Sequence, residues 1–389
     1  MKKYFIFLSV ILLINVSSFS QENIGSRIVI NSPEVNPDNS VTFRLRAPKA
    51  VHVQVFGDFQ GHPVDMKEGE NGIWEFTTTT LMPELYYYSF SVDGLTMKDP
   101  NNVYTIRDVA SVMNVFIVNG AQGDLYSVQN VSHGNISKIW YDSPTLEMKR
   151  RMTIYTPPGY ELSKVKYPVL YLLHGAGGDE EAWMDLGRTA QIMDNLIEQG
   201  KAEPMIVVIP NGNANQEAAA GYSRDNFNYK PNMGFIGEGQ INRPIASYPE
   251  SFKDIIKYVE QNYRVKNNKA SRAVAGLSMG GGHSYTISKD YPNTFDYVGL
   301  FSALVGPAVD RDGKINQEII AQLEKQRNNK FKLYWIACGT DDFLYQRNIQ
   351  YMKQLDALNF PYVYRESGGG HTWQNWRIYL SEFVPMLFR

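Results

Sequence analysis

The chain has 389 residues, of which 43% are hydrophobic and 20% are charged, and its formal net charge is −2. This composition is ordinary for a globular protein and excludes a disordered or fibrous chain, while the length allows one very large or two ordinary domains. The near balance of 38 basic and 40 acidic residues lacks the basic excess of a nucleic-acid surface, so no nucleic-acid partner is expected. The single cysteine, Cys338, excludes an intramolecular disulfide and a cysteine-based metal site.

The N-terminus has the order of segments that is typical of a secretory signal peptide. Lys2 and Lys3 precede an apolar run over residues 4–16, and small polar residues follow as far as Ser20. The run is too short to span a membrane readily, and no cysteine stands there to carry a lipid. We therefore expect cleavage after residues 1–20 and a soluble mature protein, secreted or periplasmic, without a membrane partner.

The first half of the mature chain has the period-two alternation of short β-strands. Apolar and polar side chains alternate over residues 41–46 and again over residues 51–56. Strands spaced about ten residues apart, with Gly, Pro and Asn between them, predict a small all-β sandwich. We place this sandwich at residues 21–120 and interpret residues 119–126 as a linker.

From residue 127 to residue 389 the pattern changes to apolar strands that alternate with amphipathic helices. This alternation predicts a mostly parallel sheet with helices on both faces, in which the chemistry collects at the carboxyl ends of the strands. The predicted strands lie over residues 136–142, 148–155, 167–173, 205–210, 272–277, 297–302, 331–338 and 362–366, and the clearest helices over residues 188–199, 252–263 and 279–290.

One segment has the sequence of a serine nucleophile. Gly276-Leu277-Ser278-Met279-Gly280 matches G-x-S-x-G and stands where a predicted strand ends and a helix begins. Such a turn needs small residues two positions before and after the serine, so that strand and helix can approach each other. A purely structural turn is the alternative, but the strand–turn–helix context favours Ser278 as the nucleophile.

A serine hydroxyl needs a general base. Among the six histidines, His371 lies in a glycine-rich loop after the last predicted strand, whereas His283 on the helix after the serine would project away from it. In this architecture the acid comes between serine and base in chain order. Asp341 and Asp342 directly follow the strand over residues 331–338, and one of them is expected to orient His371.

Two backbone amides are predicted to form an oxyanion hole. One N–H belongs to the residue after the serine, Met279, and the other to the loop after an earlier strand. That loop is the His-Gly-Ala-Gly-Gly segment at residues 174–178, where Ala176 is the first choice and Gly177 the next. We expect His174 to brace this loop rather than to act as a catalyst.

The second half resembles the esterase D and feruloyl esterase group of α/β-hydrolases, carbohydrate esterase family one. The resemblance implies an α/β-hydrolase fold and a serine esterase, and it selects Asp342, the fourth residue of the Gly-Thr-x-Asp motif of feruloyl esterases. It extends over residues 127–389 in five motifs that keep their order, namely Tyr155-Thr-Pro-Pro-Gly-Tyr160, Tyr171-Leu-Leu-His-Gly-Ala-Gly-Gly178, Gly276-Leu-Ser-Met-Gly-Gly281, Ala337-Cys-Gly-Thr-Asp-Asp342 and Gly368-Gly-Gly-His371.

The first half resembles early-set immunoglobulin-like modules related to glycogen-binding domains. The segments that carry this similarity are Asn71-Gly-Ile-Trp-Glu-Phe76 and Tyr88-Ser-Phe-Ser-Val-Asp-Gly94. The resemblance implies an immunoglobulin-like sandwich with a carbohydrate-binding relationship. We expect Trp74 to pack inside the sandwich rather than to stack on a sugar.

Together these features predict a secreted serine ester hydrolase that needs neither a metal nor an organic cofactor. Trp373 and Trp376 beside His371, with Tyr222 and Phe227 in an insertion, are candidates for a pocket that binds a flat aromatic acid. Packing against the last helix is the alternative for the two tryptophans. The first choice is a feruloyl esterase that releases ferulate from arabinoxylan, with feruloylated xylan and its oligosaccharides as partners.

Three other functions stay open at this stage. An acetyl xylan esterase would act on acetylated xylan through a smaller pocket. A siderophore esterase or acyltransferase would use the same three residues, but the near-neutral composition gives no support for binding an anionic chelate. A non-catalytic carbohydrate-binding protein would not need the serine, acid and base that this sequence retains.

Overall fold

The computed structural model describes residues 29–214, 246–306 and 316–389. Residues 1–20, the expected signal peptide, lie outside the described residues, and so do the candidate pocket residues Tyr222 and Phe227. In the three described ranges, no helix combines the length and the apolar composition that crossing a bilayer requires.

Residues 34–117 form a sandwich of two antiparallel sheets. The strands are β1 (Glu34–Val35), β2 (Val41–Arg46), β3 (Val53–Gly57), β4 (Gln60–Asp65), β5 (Lys67–Glu68), β6 (Ile73–Thr77), β7 (Leu85–Val92), β8 (Leu95–Met97), β9 (Thr105–Asp108) and β10 (Ser111–Ile117). One sheet has the order β1-β2-β6-β5, and the other has the order β4-β3-β7-β10-β9 with β8 paired to β7. The structure thus confirms the all-β sandwich.

Aromatic side chains from both sheets fill the sandwich core. The ring centroids of Phe43 on β2 and Tyr88 on β7 lie 4.8 Å apart inside it. Trp74 packs into the same core and donates its indole N–H to the carbonyl oxygen of Ala47, 3.0 Å away. The predicted packing role of Trp74 is therefore confirmed.

The eight strands in the described residues after 127 form one sheet, in the order β11-β12-β14-β13-β15-β16-β17-β18. Strands β13 to β18 are parallel, and β12 pairs antiparallel with β14 and β11. The bounds are β11 (Asn135–Ser143), β12 (Met148–Thr156), β13 (Val169–Leu173), β14 (Ile206–Pro210), β15 (Arg272–Leu277), β16 (Tyr297–Phe301), β17 (Leu333–Gly339) and β18 (Val363–Ser367).

Helices cover both faces of this sheet. Along β13, Leu170 and Leu172 pack with the helices of one face, whereas Tyr171 and Leu173 pack with those of the other. Burial on both sides explains the unbroken apolar runs of the strands and confirms the α/β-hydrolase architecture. The helices are α1 (Ala121–Tyr126), α2 (Ala182–Asp185), α3 (Thr189–Glu198), α4 (Tyr248–Asn262), α5 (Met279–Asp290), α6 (Gln317–Arg327), α7 (Tyr345–Ala357) and α8 (Trp373–Phe383).

Helix α4 begins at Tyr248 rather than at the predicted Phe252. Tyr248 is buried and packs against Phe252 one turn later, so the apolar face extends to the start of the helix, but Pro249 and Glu250 between them make this turn look polar in the sequence. The start is fixed by a capping box, in which the Ser247 hydroxyl accepts from the Glu250 amide and the Glu250 carboxylate accepts from the Ser247 amide.

One hydrophobic cluster contains residues from both halves of the chain. Residues 119–126, interpreted from the sequence as a linker, include helix α1, and Tyr126 at its end is fully buried. Leu85 and Ile106 of the sandwich belong to the same cluster as Tyr126 and Trp183. This segment is too short and too poor in apolar residues to show a helical period, so its packing could not be predicted from the pattern.

A buried ion pair crosses the same interface. Arg377 on α8 donates from Nε to the Glu84 carboxylate, 3.0 Å away, and from its two terminal nitrogens to the carbonyl oxygens of Leu186 and Leu85. Burial raises the pKa of Glu84, and the Arg377 charge opposes that rise. Because three acceptors from both halves surround one guanidinium, the pair locks the halves together.

We expect Arg377→Met to destabilise the protein by about 3–5 kcal/mol, because it leaves the Glu84 charge buried without its partner. Urea unfolding followed by circular dichroism measures the loss. A matched control is Arg365→Gln, whose pair with Glu382 is more than a third exposed and should contribute at most about 1 kcal/mol. Equal losses of stability from the two substitutions would contradict the role of the Arg377–Glu84 pair in holding the two halves together.

Candidate active site

Ser278 lies in a strained turn between β15 and α5. Its backbone has φ 52° and ψ −116°, a combination that non-glycine residues rarely adopt. Its amide donates to the Phe301 carbonyl oxygen at 2.9 Å, and its carbonyl oxygen accepts from the amides of Gly282 and Leu304 at 3.0 and 2.9 Å. These bonds tie the turn to the helix and to the end of β16, and Ser278 stays partly exposed at the carboxyl edge of the sheet.

Close backbone contacts explain the glycines on either side of Ser278. A Cβ atom on Gly276 would lie 2.5 Å from the carbonyl carbon of Gly280, and a Cβ atom on Gly280 would lie 2.4 Å from the carbonyl oxygen of Leu173. Neither distance is possible for real atoms, so any larger residue would push α5 away from β13 and β15. The spacing of the motif is therefore a packing requirement of strand and helix.

Asp342 and His371 meet beside this turn. The distance from Asp342 Oδ2 to His371 Nδ1 is 2.8 Å, the Asp342 side chain is fully buried, and 18% of the His371 side chain is exposed. Asp342 Oδ1 also accepts from the Leu344 amide at 2.8 Å. Asp341, which spacing alone leaves as an equal candidate, is exposed, and its amide donates to the Gly369 carbonyl oxygen.

The environment of Asp342 keeps its carboxylate ionised at neutral pH. Burial raises its pKa, but hydrogen bonds from His371, the Leu344 amide and Ser302 outweigh burial and lower the pKa below its ordinary value of 3.8. An ionised carboxylate on Nδ1 holds the imidazole with its proton on that nitrogen and leaves Nε2 as an acceptor. The pair is thus arranged to remove a proton from a hydroxyl group.

Helix α8 holds the loop that carries His371. The side-chain amide of Asn375 donates to the carbonyl oxygens of Gly368 and Gly370 at 3.1 and 2.9 Å. Gly369 between them has φ 76°, a conformation that favours glycine. Asn375 escaped the sequence analysis because its role depends on a contact between a loop and the helix that follows.

The predicted oxyanion loop passes directly beside Ser278. A Cβ atom on Gly175 would lie 3.3 Å from the Ser278 Cβ, while Ala176 is exposed and Gly177 has φ 78°. Met279 is the first residue of α5, so its amide has no acceptor within the helix. The amides chosen from the sequence therefore belong to the two segments that flank Ser278.

His174 braces this loop, as the sequence predicted. Its Nδ1 donates to the Gly175 carbonyl oxygen at 2.7 Å, and its Nε2 accepts from the Gly212 amide at 2.7 Å. Burial lowers the pKa of His174 to about 4, which keeps the ring neutral at neutral pH. The two bonds fix its tautomer and connect the ends of β13 and β14.

Trp373 and Trp376 lie beneath the His371 loop, with exposed fractions of 8% and 6%. Their ring centroids are 5.2 Å apart, and the Trp376 ring stands edge to face with His371 at 4.9 Å. The Trp376 indole donates to Ser302 Oγ at 3.2 Å. In the described structure these indoles therefore support the histidine more than they line an open pocket.

Ser302 and Phe343 are two site residues that the sequence analysis missed. Ser302 is fully buried with φ 45°, and it hydrogen-bonds Asp342 while it accepts from Trp376. Phe343 follows the acid, is 75% exposed, and its ring centroid lies 4.4 Å from that of His371. Ser302 could have been found from the sequence, because it ends the strand predicted over residues 297–302 and so lies at the carboxyl edge of the sheet, beside β15.

Comparison with known proteins agrees with this geometry. Residues 143–387 match the family described as "Putative esterase", and residues 32–106 match carbohydrate-binding module 48, the isoamylase N-terminal domain. An endo-1,4-beta-xylanase/feruloyl esterase of Xylanibacter ruminicola is 32% identical over 370 residues, which cover 92% of this chain. The chain spans only 46% of the length of that relative.

Two solved structures have the same fold. A ferulic acid esterase is 27% identical with a TM-score of 0.53, covering 66% of this chain and 98% of its own. An enterobactin esterase of Shigella flexneri has a TM-score of 0.61 over 89% of this chain and 92% of its own, but at 15% identity it shows the fold alone. On the family match and the Ser278 turn, the chain belongs to the Esterase family of α/β-hydrolases, behind an all-β domain similar to carbohydrate-binding module 48.

Proposed function

We propose that this protein is a serine carboxylesterase that acts by two-step acyl transfer to water. The observation that carries the proposal is the buried Asp342 carboxylate, 2.8 Å from Nδ1 of His371 at the same sheet edge as the strained Ser278 turn. Nucleophile, base and orienting acid follow the ends of three strands of one parallel sheet, which is the arrangement of the triad in the α/β-hydrolase architecture.

In the first step Ser278 Oγ attacks the ester carbonyl carbon, and its proton moves to Nε2 of His371. The charge on the carbonyl oxygen is held by the Met279 amide and by the amide of Ala176, with Gly177 as the alternative donor. Each such donor contributes about 3 kcal/mol to the transition state. His371 then protonates the leaving alcohol oxygen, which breaks the ester bond and leaves the acyl group on Ser278.

In the second step His371 removes a proton from water as the water oxygen attacks the acyl carbon. The same amides hold the second oxyanion, and the proton returns from His371 to Ser278 Oγ as the acid leaves. Asp342 stabilises the imidazolium in both steps without taking up the proton. Because its pKa is lowered, it stays charged throughout the cycle.

We propose a feruloyl ester of arabinoxylan as the substrate, with an acetyl ester of xylan as the second candidate. Two relatives carry feruloyl or ferulic acid esterase in their names, and the exposed ring of Phe343 beside His371 offers a surface for a flat aromatic acid. Tyr222 and Phe227 stay candidates for the same pocket. The likeness to an enterobactin esterase is one of fold and adds no support for a siderophore substrate.

We further propose that the chain is organised for work on an exported polysaccharide. Residues 1–20 would direct export, residues 21–120 would form a carbohydrate-binding-like module and residues 127–389 would carry the esterase chemistry. The match of residues 32–106 to carbohydrate-binding module 48 supports this arrangement. Binding of the full-length chain to insoluble arabinoxylan, measured by pull-down, tests the polysaccharide part of the proposal.

We expect Ser278→Ala to lower kcat for p-nitrophenyl acetate and methyl ferulate about 10⁶-fold, because the acyl-enzyme can no longer form. Initial rates with the purified full-length protein measure this. Thr286→Ala removes a hydroxyl from the same helix, where it donates to the Gly282 carbonyl oxygen, and should keep its rate. Hydrolysis that survives in Ser278→Ala would refute the proposed mechanism.

We expect Asp342→Asn to lower kcat about 10⁴-fold, since an amide at this place favours the wrong imidazole tautomer. Asp341→Asn is the matched control, because this neighbouring carboxylate is exposed and its substitution should leave kcat within about threefold, as for a surface site. Steady-state kinetics on p-nitrophenyl acetate distinguish the two. The reverse order of effects would make Asp341 the orienting acid.

We expect Phe343→Ala to lower kcat/KM for methyl ferulate about fivefold through loss of an aromatic contact of about 1 kcal/mol, and to leave kcat/KM for p-nitrophenyl acetate nearly unchanged. Leu162→Ala, at a residue 95% exposed, serves as the control for a surface apolar side chain. An equal loss on both substrates would show that Phe343 acts only on His371. Release of acetate without ferulate from the wild-type enzyme would reverse the ranking of substrates.

A further inference from the structure

A hairpin of the N-terminal sandwich reaches the predicted oxyanion loop. Strands β9 and β10 form this hairpin, and Arg107 near its tip makes an ion pair with Asp179, two residues after Gly177. A second terminal nitrogen of Arg107 donates to the Val109 carbonyl oxygen at 2.8 Å. One guanidinium therefore fixes both the hairpin tip and the loop that follows β13.

Val109 at the tip packs on Gly177. A Cβ atom on Gly177 would lie 2.8 Å from both methyl groups of Val109, so the two residues are in direct contact. Val109 has φ 52°, a strained conformation that is an outlier for a β-branched residue. Such strain persists only where surrounding contacts hold it, and the Arg107 bond to the Val109 carbonyl is one of them.

The opposite face of the hairpin, which carries Ile106 and Asp108, packs near His371. Ile106 is buried in the same cluster as Trp183 and Trp373. Asp108 is half-buried, and a side-chain hydrogen bond from Trp373 opposes the rise of its pKa on burial. Trp373 lies two residues after His371, so the hairpin joins the oxyanion loop to the helix that supports the base.

We infer that Val109 and Arg107 are positioning residues that hold the oxyanion loop, and that the N-terminal domain is thereby part of the catalytic unit. This inference rests on the proposed esterase function. The loop over residues 174–178 contains three glycines, whose backbones have the greatest conformational freedom. Oxyanion donors need to be held within about 0.5 Å of their productive position. The hairpin restrains the loop at this precision through its contacts with Gly177 and Asp179.

The inference predicts an effect on small soluble esters that lack any sugar. If the N-terminal domain only targeted the enzyme to a polymer, a substitution in it would change the rate on polysaccharide and leave the rate on p-nitrophenyl acetate unchanged. A domain that places oxyanion donors changes kcat on every ester, because those donors bind the transition state more strongly than the ground state.

The test is Val109→Gly in the full-length protein. We expect kcat for p-nitrophenyl acetate to fall about tenfold with KM within about twofold, the signature of an interaction made in the transition state. A phenylboronic acid, which mimics the tetrahedral intermediate, should lose affinity by about the same factor. Active-site titration by the p-nitrophenol burst corrects each rate for the fraction of folded enzyme.

Two further variants separate positioning from stability. Val109→Thr keeps the branched shape against Gly177 and should restore most of the lost kcat. Val103→Gly removes the same side chain at a site 84% exposed before β9 and should leave kcat and boronate affinity unchanged. The thermal midpoint of Val109→Gly should fall no further than that of Val103→Gly, because both substitutions add the same freedom to the unfolded chain and glycine at position 109 also relieves the positive φ.

A double-mutant cycle tests the Arg107–Asp179 pair. Arg107→Met and Asp179→Asn should each lower kcat, and the loss in the double variant should be smaller than the product of the two single losses, because both substitutions remove the same ion pair. Additive losses would overturn the shared role. Wild-type kcat and boronate affinity in Val109→Gly would overturn the inference while leaving the proposed function, which Ser278→Ala tests separately, intact.

Discussion

The approach of three backbone segments around Ser278 is the constraint on which the rest of the site depends. The end of β13 and the turn from β15 to α5 come so close that a single added carbon on Gly276 or Gly280 would collide with backbone atoms, and the end of β16 is hydrogen-bonded to the same turn. The strained φ of Ser278 follows from that approach. The Ser278 amide donates to the Phe301 carbonyl oxygen and the Leu304 amide donates to the Ser278 carbonyl oxygen, and these bonds maintain the turn. The proposed nucleophile is thus placed by the packing of the sheet against α5.

The proposed base, His371, is placed by a second set of contacts at the same sheet edge. The chain of hydrogen bonds runs from the Trp376 indole to Ser302 and from Ser302 to Asp342, and Asp342 in turn binds His371. Trp376, Ser302 and Asp342 are buried and hydrogen-bonded to one another, which makes such polar groups rigid, while His371 at the end of the chain stays partly exposed. Two elements of the N-terminal domain contact the second half: the buried Glu84 binds α8, and the β9–β10 hairpin binds the proposed oxyanion loop and Asp179 after it.

Sequence reasoning succeeded where the physical requirement is local. The Ser278 motif and the alternation of strands and helices are local, and both agree with the structure. Spacing could not choose between Asp341 and Asp342, because that choice depends on which carboxylate the turn after β17 directs inward. The buried positions of Trp373 and Trp376, the support from Ser302 and Asn375, and the contact of Val109 with Gly177 depend on pairs of elements far apart in the chain. No periodicity or motif carries such information.

The most direct test of the central claim is to trap the acyl-enzyme. Mixing the full-length protein with p-nitrophenyl acetate in a rapid-quench instrument should release about one p-nitrophenol per chain before steady turnover, the fingerprint of covalent catalysis. Peptide mass spectrometry of the quenched protein should then find the acetyl group on Ser278. A missing burst, or an acetyl group on another residue that turns over at the catalytic rate, would contradict the account.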